Sequence, residues 1–185
     1  MKDVYQILKS FNVCYDPKDI GLDETVEGTP LELIKKYRGK TKKTEDIIWA
    51  VCRPELKDDE TLRLFSCWCT KELFKLIDNV LPESRKAVKI TEHYMYQLAT
   101  LEELVKAQED AELAAYNTNT QLEFVVAWCA ARCSGRIPWI AAQEVSAAAL
   151  AVILRTDPPM DKDVEANKQI DKLIQLLERK EKRNV

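Results

Sequence analysis

The sequence has few of the residues that build tight turns and histidine-dependent active sites. Its 185 residues include 4 glycines and 1 histidine, His93. Sheets depend on glycine-rich turns whereas helices avoid glycine, so the shortage favours an all-α fold. Catalysis that pairs a histidine with a serine or cysteine would have to use His93, which we expect on a helix surface. No apolar run approaches the length of about 18 residues that spans a bilayer, so we expect no membrane segment.

Strong net charge and a secretory pattern are also lacking. The net charge of −3 is too small to indicate mimicry of DNA or general nucleic-acid binding. Residues 1–9 lack the basic-then-apolar order of a secretory signal. Several of the 6 cysteines lie inside apolar helical runs, where a free thiol behaves as a small hydrophobic group. We therefore expect reduced thiols in a cytoplasmic protein.

The remaining composition and the local signals predict a globular helical protein. Hydrophobic residues make up 46% of the chain and charged residues 32%, as in folded domains. Capping boxes predict helix starts at Thr29, Thr100 and Thr120, and Thr44 is a further candidate cap. Residues 47–52 are apolar on every side and fit a buried strand or a buried helix, of which the helical neighbours favour the second. We predict a compact antiparallel bundle of about seven to eight helices.

Apolar spacing predicts how the bundle packs. The helix that begins near residue 59 has two apolar stripes, which places it at the centre of the bundle. The stripes consist of Leu62, Phe65, Cys69, Leu73 and Leu76, and of Leu64 and Trp68. The inner line of the next helix is predicted as Ala87, Ile90, Tyr94 and Leu98. Alanine at many inward positions predicts closely packed helices through residues 59–155.

The chain is predicted to be one compact unit with two parts. Residues 1–58 form an N-terminal helical subdomain with an acidic loop over residues 16–28, which carries Asp19, Asp23, Glu24 and Glu27. Residues 59–185 form an alanine-rich helical bundle.

No motif predicts catalysis, a metal site or a cofactor. Gly39-Lys40-Thr41 resembles the end of a phosphate loop, but Ile34 stands where that motif requires glycine. Cys67 and Cys69 would point about 200° apart on a helix, so they cannot both face one metal ion. Cys129 and Cys133 would share a helix face, which leaves metal binding and redox sensing as alternatives to core thiols. We expect a protein that is not an enzyme.

One charge pattern suggests a binding site. Six cations fall within nine residues: Lys35, Lys36, Arg38, Lys40, Lys42 and Lys43. A helix end favours cations, and a solvated loop explains many such runs. The alternative is a surface that contacts nucleic acid or an acidic protein. We take this basic run as the candidate partner-binding site, and the expected partner is a protein target, either alone or as a protein–nucleic acid complex.

Three segments carry a resemblance to a known family. Residues 62–69 (LRLFSCWC), 84–88 (SRKAV) and 98–104 (LATLEEL), with the alanine-rich helices after them, resemble Ala-rich helical proteins of bacteria and phages that are labelled immunity proteins. The resemblance covers residues 60–155 approximately. It implies a non-catalytic role in conflict between genomes, either as an immunity protein that neutralises a bacterial toxin or as an anti-CRISPR inhibitor of a CRISPR effector nuclease. The basic run favours the second, since such targets carry RNA and DNA.

Two further hypotheses stay open. A helical enzyme or ligand-binding protein could use a pocket between helices lined by Trp68, Tyr94 and Trp128, although aromatic residues at such positions are usually core. The alanine-rich faces also suggest a homodimer.

Overall fold

All regular secondary structure is helical in the part of the chain that the computed structural model describes, residues 4–10, 16–22, 29–40, 43–53, 59–154 and 161–183. These residues form nine α-helices and a short 3-10 helix, Pro17–Ile20. The α-helices are α1 (Val4–Ser10), α2 (Pro30–Tyr37), α3 (Thr44–Val51), α4 (Asp59–Phe74), α5 (Pro82–Met95), α6 (Leu101–Ala115), α7 (Gln121–Cys133), α8 (Pro138–Ile153) and α9 (Lys162–Arg183). The predicted all-α bundle is confirmed, with more helices than the seven to eight expected.

Three helices begin at the predicted capping boxes. At the start of α2, the Glu32 backbone N–H donates to Thr29 Oγ1 at 3.2 Å, and the Thr29 N–H donates to the Glu32 carboxylate at 2.7 Å. Thr100 with Glu103 and Thr120 with Glu123 form the same reciprocal bonds for α6 and α7. The capping role predicted for Thr44 is wrong: it is the first helical residue and makes no capping bond, because its backbone already has helical geometry.

Helix α4 lies at the centre of the bundle, as predicted. It packs against α5, α7, α8 and α9. Leu62, Phe65 and Leu73 on its first stripe are each at most 1% exposed. Leu64 and Trp68 on the second stripe are half-buried and pack against the same core. Two apolar faces on one helix thus correspond to neighbours on several sides.

Small side chains fill the junction of α5, α6 and α7. Ala87, Ala107, Ala111 and Ala131 form one buried cluster there and are each at most 1% exposed. Because alanine adds a single methyl group beyond the backbone, helix axes can approach closely at these positions.

The predicted inner line of α5 is wrong at its last residue. The helix ends at Met95, and Gln97 adopts a left-handed conformation with φ of 59°. The Leu98 N–H donates to the His93 carbonyl at 2.8 Å, which closes the helix end. Leu98 therefore leaves the helix and is 70% exposed. Ala87 is fully buried, whereas Ile90 and Tyr94 are half-buried.

The N-terminal helices share the largest core cluster with α9. Ile34 of α2 and Ile47 of α3 are fully buried in the same cluster as Ile170 and Leu173 of α9. Of the apolar run 47–52, residues 47–51 lie in α3, so the run is largely helical. The 3-10 helix occupies part of the predicted acidic loop, where Ile20 and Leu22 are buried. Asp23, Glu24 and Glu27 lie outside the described residues, and the division of the chain at residue 58 stays a prediction.

Helix α9 is the longest, with 22 residues. Charged residues occupy much of it. Among the helices that the structure describes, none combines the length and the apolar character that a bilayer requires.

Candidate binding surface

Two cations of the basic run hold α2 against α9. Lys35 Nζ lies 2.6 Å from Glu178 Oε1. The Arg38 guanidinium binds both carboxylate oxygens of Asp171, and Arg38 Nη2 lies 2.7 Å from Asp171 Oδ2. Hydrogen bonding to Asp171 and its negative charge raise the pKa of Arg38. Lys35 and Arg38 are therefore neutralised by carboxylates of α9.

The other cations of the run lie in different surroundings. Lys36 is half-buried, with its ammonium group 5.3 Å from the centre of the Tyr37 ring. Lys40 and Lys43 are exposed, and Lys42 lies outside the described residues. Contact of this run with a partner stays a prediction, and it concerns mainly the segment that follows α2.

Cations that are distant in sequence converge across α5, α4 and α9. On α5 and α9, two cations lie four residues apart, which places them on one helix face. These pairs are Arg85 and Lys89 on α5, and Lys168 and Lys172 on α9. On α4 the band includes Lys71, and Lys75 lies in the turn directly after the last helical residue, Phe74. Arg179, Lys182 and Arg183 extend the α9 set toward its C-terminal end. We call these nine residues the basic band.

Contacts between α4 and α9 make the band continuous. Glu72 on α4 accepts hydrogen bonds from Lys75 and from Lys168, each at 2.6 Å. Arg183 donates to Glu60 at 2.6 Å, so the two helices run antiparallel along the band. Burial and the positive charges of Arg179 and Lys71 lower the pKa of Lys172. The cations of α4 and α9 are therefore near enough to repel each other.

Two grooves lie along the band. The first, between α4 and α5, has a volume of about 480 Å³. Half-buried Phe74 contributes its apolar surface, since Val88 at its base is only 1% exposed, and Glu92 lines the groove with the four cations. The second groove follows the C-terminal half of α9, with a volume of about 500 Å³. Its lining includes Lys172, Arg179, Lys182 and Arg183.

The band carries an excess of positive charge. Glu92 pairs with Lys71, Glu72 with Lys75 and Lys168, and Glu60 with Arg183. Within the described ranges, five other cations of the band form no ion pair: Arg85, Lys89, Lys172, Arg179 and Lys182. The net charge of −3 for the chain thus averages over a surface that is locally basic.

Much of the compensating negative charge lies on α6, which packs against α5 and α7. Its carboxylates are Glu102, Glu103, Glu109, Asp110 and Glu112.

The cations of the band are far apart along the chain, so grouping cations that are neighbours in sequence does not reveal it. The sequence nevertheless contains a signal, namely two cations at a spacing of four residues, as in Arg85 and Lys89 of α5. What could not be read from the sequence is that the three helices lie side by side.

The cysteines lie inside the core rather than at a surface site. All five described cysteines are free and buried. Cys67 and Cys69 fall in separate core clusters, as their spacing predicts. Burial raises the pKa of Cys129 to about 12. The described residues contain no group of three or more potential ligands that could hold a metal ion.

One polar cluster is buried between α4, α5 and α7. Thr91 and Ser134 are hydrogen bonded through their hydroxyl groups at 2.8 Å. Burial opposes ionisation of Cys133, but hydrogen bonds from Cys67, Thr91 and Ser134 lower its pKa. Cys67 itself has a raised pKa because of its bond with Cys133 and its burial. The cluster satisfies polar groups within the core, and His93 lies apart from it, half-buried on α5.

The three aromatic residues proposed for a pocket contact different partners. Lys168 Nζ lies 5.5 Å from the Trp68 ring, and the Arg63 guanidinium lies 5.8 Å from the Tyr94 ring. Trp128 stacks on Phe124 with 6.1 Å between ring centres. None of the three aromatic residues lines either groove of the band.

Comparison with family models, curated proteins and solved structures found no match for this chain. The resemblance to the Ala-rich immunity proteins over residues 60–155 therefore stays a prediction. The basic band is the surface from which a function can be argued.

Proposed function

We propose that the protein acts without catalysis, by binding a protein–nucleic acid complex in the cytoplasm, and that the basic band contacts the nucleic acid. The observation that supports this proposal is the set of five cations without ion pairs on one side of an acidic chain. Cations that neutralise phosphates release condensed counterions, which favours binding. From Lys168 to Lys182 the band extends about 21 Å along α9, the length of about six base pairs.

The resemblance adds a biological setting to this proposal. In that setting the protein is a phage or mobile-element inhibitor of host defence, of the anti-CRISPR type, and its target is a CRISPR effector nuclease. Such effectors hold a guide RNA and its DNA target in positively charged channels and also contact the displaced single strand. The basic band suits a protein that competes for that nucleic acid. The homodimer is not required for this contact and stays a prediction.

A second candidate is an immunity protein that neutralises a bacterial toxin. The exposed apolar residues at the α6–α7 connection support it. Leu113 and Tyr116 are 67% and 70% exposed, and the Tyr116 ring centre lies 6.2 Å from that of Phe124. Tyrosine and other aromatic residues are enriched in protein–protein interfaces. A toxin partner would use this surface and would not need the basic band.

The two candidates can be separated by capturing partners from a host lysate with and without nuclease treatment. The test variant is the triple charge reversal Lys89→Glu, Lys172→Glu and Arg179→Glu. A matched control, Lys40→Glu with Lys42→Glu and Lys43→Glu, changes the net charge equally but alters the basic run. We expect the test variant to capture at least about tenfold less complex than the wild type, because phosphate contacts are lost. The control should capture as much complex as the wild type.

Other outcomes would contradict a role for the basic band in binding. Loss of capture in the control alone would identify the basic run as the contact surface. If the test variant still captures the partner, and if capture also survives nuclease treatment, a protein partner such as a toxin is favoured. Circular dichroism of each variant checks that the helical fold is retained.

A further inference from the structure

The groove between α4 and α5 combines an apolar surface with positive charge. Phe74 and Val88 line it together with four cations, and its volume is about 480 Å³. The Arg85 guanidinium lies 5.8 Å from the centre of the Phe74 ring. This distance is within the range of a cation–π contact, so Arg85 and Phe74 together form a platform, and exposed Arg85 can present its planar guanidinium to a further planar group.

The cations of the groove differ in how far they are neutralised. On the side of the groove formed by the end of α4 and the turn after it, Lys71 pairs with Glu92 at 2.6 Å and Lys75 with Glu72 at 2.6 Å. On the α5 wall, neither Arg85 nor Lys89 has an ion-pair partner in the described part of the chain. The available positive charge therefore lies at and beside the platform that Arg85 forms with Phe74.

We propose that this groove holds one unpaired base of single-stranded nucleic acid, stacked on Arg85, with the flanking phosphates on Lys89 and Lys75. The inference rests on the proposed function and specifies the form of nucleic acid that the band recognises. Bases in a duplex are paired and stacked inside the helix, so they cannot enter a side groove. Aromatic residues and arginine bind single strands by base stacking, with cations along the backbone.

An acidic peptide is the competing ligand for such a groove. Its carboxylates could bind Lys89 and Arg85, but a carboxylate has no aromatic ring that could stack on the Arg85 guanidinium. The apolar surface of Phe74 would then stay unused. Combined stacking and charge favour a nucleotide over a peptide that offers charge alone.

Fluorescence anisotropy can test the groove with three labelled probes: a 12-nucleotide oligothymidine, a duplex of the same length, and a 12-unit abasic strand that keeps the phosphates. The test variants are Arg85→Lys, which keeps the charge but loses the planar group, and Phe74→Leu, which keeps an apolar side chain. We expect each variant to bind oligothymidine about tenfold more weakly than the wild type, as expected for the loss of one stacked base. Binding of the duplex and of the abasic strand should change less than twofold.

Two results would contradict base binding in the groove and leave the proposed function intact. In the first, Arg85→Lys and Phe74→Leu both bind oligothymidine with wild-type affinity, while the triple charge reversal described above still abolishes binding. The other is competition by polyglutamate that is as effective as that by oligothymidine. Failure of the wild type to bind any of the three probes would reject the nucleic-acid contact as well. Arg85→Lys alters an exposed residue, so it remains informative if Phe74→Leu is unstable.

Discussion

At the scale of single residues, a buried arginine fixes how the helices meet. Arg63 on α4 is 6% exposed, and its Nη1 donates to the Gly135 carbonyl at 2.7 Å. Burial lowers the pKa of Arg63. The bond ties α4 to the connection between α7 and α8. That connection has no room for a larger residue, since a Cβ at Gly135 would lie 2.9 Å from the Arg132 carbonyl oxygen.

Replacing Arg63 should therefore weaken the fold more than replacing an exposed arginine. Arg63→Met keeps most of the length but leaves the Gly135 carbonyl without its donor. We expect the free energy of unfolding to fall by about 1–3 kcal/mol, the usual cost of an unsatisfied buried polar group. Urea denaturation measures it. The control Arg85→Met, at an exposed position, should change stability by about 0.5 kcal/mol or less. Equal losses in both variants would contradict the structural role of Arg63.

At the scale of elements, capping boxes define where helices begin. In α6 the Thr100 N–H donates to the Glu103 carboxylate at 2.7 Å, and the Glu103 N–H donates to Thr100 Oγ1 at 3.1 Å. The bonds from the Thr100 backbone and side chain lower the pKa of Glu103. The ionised carboxylate is thus part of the cap.

Thr100→Ala should lower the free energy of unfolding by about 1 kcal/mol at pH 7. Because the pKa of Glu103 is lower in the folded state, its contribution is present above its ordinary pKa and is lost as the pH falls through the lowered value. The difference between Thr100→Ala and wild type should therefore shrink between pH 7 and pH 3 in urea denaturation. Thr100→Ser keeps the hydroxyl group and should stay near wild type. A Thr100→Ser variant as unstable as Thr100→Ala would argue against the cap.

At the scale of the whole molecule, α9 connects the two predicted parts of the chain. It packs against α2 and α3 on one side and against α4 and α8 on the other. The Lys35–Glu178 and Arg38–Asp171 pairs lie at the edge of the α2 contact. Removing the N-terminal helices would uncover apolar side chains of α9 that are now fully buried, such as Ile170 and Leu173.

A chain limited to residues 59–185 should therefore be less stable than the full chain. Exposure of Ile170 and Leu173 removes several kcal/mol of hydrophobic stabilisation, which corresponds to a fall in Tm of about 10 °C or more. Thermal unfolding followed by circular dichroism measures the change. An unchanged Tm with one cooperative transition would show that residues 59–185 form an independent domain.

The helical fold could be predicted from the sequence because its signals are local. A capping box needs residues only three positions apart, so Thr29, Thr100 and Thr120 were identified correctly. The two stripes of α4 follow from the helical period, and they indicated its central place. The errors arose where local signals were ambiguous: Thr44 precedes an apolar run without capping it, and Leu98 fits the period of α5 but follows its end.

The surface could not be predicted in the same way, because its properties depend on which helices are neighbours. The basic run looked like one site, yet Lys35 and Arg38 pair with carboxylates more than 130 positions away. The basic band exists only because α5, α4 and α9 pack side by side. By itself the sequence determined the helices and their apolar faces, since these arise from contacts within a few residues. Only the tertiary structure decided which charges remain unpaired, because Coulomb interactions depend on distance in space rather than along the chain.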